Sequence, residues 1–73
     1  MSLVHVNGEA FFEARLERFL SQEALAGKAG VSSNAIKRME RGQKIGSEIT
    51  RKVLMALGIS VKEALEKKFV RFG

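Results

Sequence analysis

Three times in succession a serine opens and a glycine closes a short run with helical apolar spacing: Ser21 to Gly30, Ser32 to Gly42 and Ser47 to Gly58. A serine hydroxyl accepts from backbone N–H groups that a helix start leaves unpaired. A glycine takes the left-handed conformation that ends a helix at the least steric cost. Helices are therefore predicted over about Gln22–Ala29, Ser33–Arg41 and Glu48–Leu57. Glu9 to Arg18 reads as a further helix, with Asn7 or Gly8 as its N-cap and Glu9 suited to the positive end of the helix dipole. A fifth helix starts at Ser60, where Ser60-Val61-Lys62-Glu63 has the spacing of a reciprocal capping box. Helices this short are marginal alone and take their stability from packing. The expected fold class is all-α: a compact five-helix bundle in one domain, residues 1–73. Its core spans about 9–67, and residues 1–6 and 68–73 are accessory.

Apolar spacing assigns the inward faces. Leu25, Ala29, Ile36 and Met39 fall at helical steps, as do Ile49, Val53, Leu54 and Leu57. Leu20, Val31 and Ile59 sit in the turns and plug the joins. Leu3-Val4-His5-Val6 and Phe69-Val70-Arg71-Phe72 are β-branched and apolar, and read as short terminal β-strands. Phe12, Leu16 and Phe19 form a second apolar stripe on the first helix, apart from the Phe11/Ala14 side that faces the bundle. Such a stripe needs a cover. The expectation is that the two terminal strands pair over it, within one chain or between two.

Composition narrows the chemistry. The 73 residues contain no cysteine and one histidine, His5, so neither a thiolate nor a histidine-cluster metal site is available. No nucleophile–base pair or phosphate-binding glycine loop is present, and Gly27, Gly30 and Gly42 are helix punctuation. The reading is a non-enzyme with no metal and no cofactor. Apolar runs are far shorter than the ~20 residues that span a bilayer, and no signal peptide is visible, so the expected location is cytoplasmic. Thirteen Lys and Arg against eight acidic residues give net +5, a surplus that attracts polyanions.

The informative stretch runs from Ser21 to Gly42. Two short helices meet at a Gly-Val-Ser turn, and small Ala26 and Ala29 let them approach closely. Ser33, Asn34, Lys37 and Arg38 remain outward at the start of the second helix. Short hydrogen-bonders followed by cations suit base edges in a major groove; the plainer readings are first-turn capping and a solvated face.

The segments Leu20–Ser32 (L-S-Q-E-x-L-A-x-K-A-G-V-S), Ile36–Gly42 (I-x-R-x-E-R-G) and Ala56–Leu65 (A-L-G-I-S-x-x-E-A-L) resemble the phage-repressor/Cro-like helix-turn-helix proteins, the XRE family. The resemblance covers about Phe11 to Leu65. It implies a lambda-repressor-like five-helix bundle whose third helix is the recognition helix. It implies that Ser33, Asn34, Lys37 and Arg38 face bases. Gln22 would hold a phosphate at the start of the second helix, and Arg41, Gln43 and Lys44 would follow the sugar-phosphate backbone. Arg15 and Glu40 would form a charged pair tying the first helix to the end of the third. Two positions depart from the family pattern: Phe19 stands where glycine is common, and Leu16 where a polar residue is.

The reading that follows is sequence-specific binding of double-stranded DNA at an operator by a transcriptional regulator, a repressor acting as a homodimer. Some family members dimerise around the last two helices, which here points to Ile45 and Leu57–Ile59. Alternatives are the antitoxin of a toxin–antitoxin pair, with a toxin as second partner, and a protein–protein adaptor that does not bind DNA.

Overall fold

The computed structural model describes residues 2–71. The chain runs β1 (Leu3–Val6), α1 (Gly8–Glu17), α2 (Gln22–Ala29), α3 (Ser33–Glu40), β2 (Ile45–Gly46), α4 (Ser47–Leu57), α5 (Val61–Glu66) and β3 (Val70–Arg71). The five helices form the expected bundle, and the strands form one small sheet in the order β2-β1-β3. No helix among the described residues is long and apolar enough to cross a membrane.

Side-chain caps start four of the helices. Asn7, Ser21, Ser32 and Ser60 each accept from a backbone N–H three residues on, at 3.0–3.2 Å. Two capping expectations need correction. Ser47 is the first residue of α4 and not its cap, because its N–H donates to Ser2 O at 2.9 Å and so extends the sheet. The box at Ser60 is half made: Ser60 Oγ accepts from Glu63 N, but the Glu63 carboxylate takes Lys67 Nζ at 3.0 Å.

All five helices stop in one way. An N–H just past the helix reaches back five residues: Leu20 to Arg15, Val31 to Ala26, Gln43 to Arg38, Ile59 to Leu54 and Phe69 to Ala64, at 2.8–3.2 Å. The residue before each donor is left-handed. It is glycine at 30, 42 and 58, but Phe19 (φ 56°) and Lys68 (φ 61°) hold the other two places.

The core gathers Phe11, Leu25, Ile36, Met39, Val53 and Leu57 from the helices with Val4, Ile45 and Val70 from the sheet. Leu20, Ala29, Val31 and Ile49 pack partly buried against it. β1 lies antiparallel to both neighbours, with Leu3 opposite Gly46, Val4 opposite Ile45, His5 opposite Arg71 and Val6 opposite Val70.

The terminal strands thus pair within one chain, but they do not lie over the stripe on α1. Val4 is fully buried and Val70 is 5% exposed, so the sheet closes the main core. Phe12 and Leu16 stay exposed, and Phe19 is 97% exposed. Phe72 lies outside the described residues. The third strand, β2, was not expected. It draws Ile45 inward, and Leu57 and Ile59 are buried as well.

Candidate nucleic-acid interface

The turn between α2 and α3 is held from three sides. Gly30 takes the left-handed step, Val31 packs against the core, and Ser32 Oγ accepts from Ala35 N at 3.2 Å. The inner face of α3 is Ala35, Ile36 and Met39, each 1% exposed. That burial fixes the helix rotation and therefore which side chains face out.

Asn34, Lys37, Arg38 and Arg41 face out, at helical steps of three and four, and together line one open depression. None of them is acidic, and no ion pair among the described residues engages the three cations. Ser33 stands half-buried beside this depression and does not line it. Beyond the helix, Arg41, Gln43 and Lys44 are exposed. Their loop is tied down by Gln43 N donating to Arg38 O at one end and by buried Ile45 at the other.

Behind this surface lies a buried polar cluster. Arg15 Nε donates to Glu40 Oε2 at 2.6 Å and Arg15 Nη2 to Glu40 Oε1 at 2.9 Å, a two-pronged pair with both side chains under 10% exposed. The third arm, Nη1, donates to Leu20 O at 2.9 Å. The hydrogen bond to Glu40 raises the Arg15 pKa further above its ordinary value, so the guanidinium stays charged. Gln22 Nε2 also donates to Glu40 Oε1, at 3.1 Å. One amide proton of Gln22 is therefore spent inside the protein. This cluster hides and neutralises the one carboxylate on α3, so the end of the helix shows no negative charge outward.

A helix-turn-helix family model matches residues 12–63, most of the chain. The chain belongs to that family. The match runs from within α1 to the first turn of α5 and takes in α2, the turn and α3. This XRE-type helix-turn-helix is a lambda-repressor-like, DNA-binding transcription regulator at the level of the family, and that family is not an enzymatic one. No curated protein matches the chain significantly.

Sequence reasoning missed two supports of this helix-turn-helix. Gly8 was weighed only as a cap, yet a Cβ there would lie 2.3 Å from Glu40 O and 2.8 Å from Gly42 N. The first turn of α1 thus presses backbone to backbone on the end of α3, and a glycine just inside a helix start was the available signal. Arg18 donates to Ala14 O and to Leu57 O, both at 2.7 Å, satisfying terminal carbonyls of α1 and α4 at once. Nothing in local spacing links Arg18 to Leu57.

Proposed function

We propose that the chain is a sequence-specific repressor that binds an operator as a homodimer, with α3 in the major groove. The single observation that carries this reading is the outward face of α3. An amide and three unpaired cations share one depression, while the opposite face is sealed in the core. Asn34 and Arg38 can each make paired hydrogen bonds to a purine edge, Asn to adenine and Arg to guanine. Ser33 and Lys37 flank them on the same turns. Arg41, Gln43 and Lys44 contact phosphates along the backbone, and Gln22 does so with its remaining amide proton. Two-fold symmetry follows from half-sites one helical turn apart. The exposed Phe12, Leu16 and Phe19 give a second copy an apolar surface to bury.

Selection of bound sequences from a random duplex pool tests the reading, and it should return a motif with two-fold symmetry. Lys44→Ala should weaken binding to all sequences alike and make the salt slope shallower by about one unit. An antitoxin role is the second reading, favoured by the same uncovered apolar stripe. Light scattering separates the two. A dimer that Phe19→Ser dissociates supports the homodimer, whereas a monomer at micromolar concentration points to a different protein over the stripe. An adaptor role requires that no duplex be bound even at low salt.

A further inference from the structure

The positive surface continues past the Arg41–Lys44 loop onto the β1–β3 side of the sheet. A second open depression is lined by His5, Asn7, Gly42, Lys68, Phe69 and Arg71, among others, and no described residue lining it is acidic. Residues directly opposite in an antiparallel pair project to the same face. His5 and Arg71 are such a pair, so both project away from the core face that holds Val4 and Val70. No ion pair among the described residues engages Lys44, Lys68 or Arg71. The His5 imidazole is held below its ordinary value, by desolvation first and then by the charges of Arg71 and Lys44, so the loop and the sheet share one positive field.

Two further observations bear on what this depression holds. Lys68 adopts a left-handed backbone, φ 61°, at a helix stop of the kind where α2, α3 and α4 use glycine. That conformation is strained for an L-residue, and non-glycine residues held this way cluster at ligand sites. The Lys68 side chain lines the depression. Gly42 also lines the depression, and its neighbour Arg41 lines the one on α3, so the two are contiguous around the end of the recognition helix.

We propose that His5, Lys68 and Arg71 hold a backbone phosphate of the same duplex, making the terminal sheet a DNA-contacting element beside α3 and its loop. This rests on the DNA reading above. A phosphate here lies beyond those met by Arg41 and Lys44, and its contact is independent of sequence.

The test is the salt dependence of binding to a random-sequence duplex, followed by fluorescence anisotropy, for the full chain and its variants. Each phosphate contact contributes about 0.9 to the slope of log affinity against log salt. The double variant Lys68→Gln/Arg71→Gln should flatten the slope by about one unit. Lys52→Gln/Lys62→Gln, which removes equal charge from α4 and α5 outside the depression, should leave it unchanged. Lys68→Gly/Arg71→Gln keeps an easily folded helix stop and should flatten the slope equally, which separates lost contact from lost folding. An unchanged slope in a protein that still binds duplex overturns the inference and leaves the function standing. Equal flattening by both charge-matched pairs overturns it too, since general charge would then suffice. Failure of the unaltered chain to bind any duplex overturns the functional reading and this one with it.

Discussion

Phe19 carries a left-handed backbone and is 97% exposed. A side chain in this conformation crowds the following carbonyl, and here no burial offsets it. Phe19→Gly should therefore raise the stability of the monomer by about 1 kcal/mol, read as a higher denaturant midpoint. A lower midpoint would mean that the ring packs in the free protein. Glu40 is the opposite case, since its carboxylate holds Arg15 and Gln22 at once. Glu40→Ala leaves a buried guanidinium without its partner and should cost ~3–5 kcal/mol, seen as a large fall in melting temperature. The sequence showed that Phe19 was unusual, but not why. The reason is a torsion angle, and it emerges only once the hydrogen bonds of Phe19 and Leu20 back to Leu16 and Arg15 are seen.

At the scale of elements, α2 was legible to the residue and the other helices nearly so, because cap and stop chemistry is local. Ser32, Gly42, Ser60 and their counterparts act on their own neighbours. The sheet was only half legible. Leu3–Val6 announced itself by its β-branched residues, but a strand of two residues, Ile45–Gly46, has no periodicity to read. Its partner, β1, is distant in sequence, so no local pattern announces the pairing of Ile45 with Val4. The outward face of α3 was legible because its inner residues are all apolar or small, which leaves the outward set by elimination. Arg38→Ala should relax the preference at one base position per half-site, a loss of ~1–3 kcal/mol of discrimination. Comparing the motifs selected by the two proteins checks this, and identical motifs would move base reading to Lys37.

For the whole molecule, the family match and the folding unit are not the same length. Residues 12–63 omit Val4, Phe11, Ala64 and Val70, all buried in the core. Each large one contributes ~1.5–3 kcal/mol, and a domain this small has little to spare. A 12–63 fragment should show no cooperative melt by circular dichroism where the full chain shows one. A fragment melting like the full chain would reduce the sheet to decoration. Pairing of His5 with Arg71 has a consequence in time. In sequence β1 precedes every helix and β3 follows them all, so among these elements β1 is made first and β3 last. The helices can gather early from near neighbours, but closing so long a loop comes late and costs entropy. The edge of β1 that pairs with β3 then stays open on the nascent chain until Val70 and Arg71 arrive, and an unpaired strand edge invites aggregation or a chaperone.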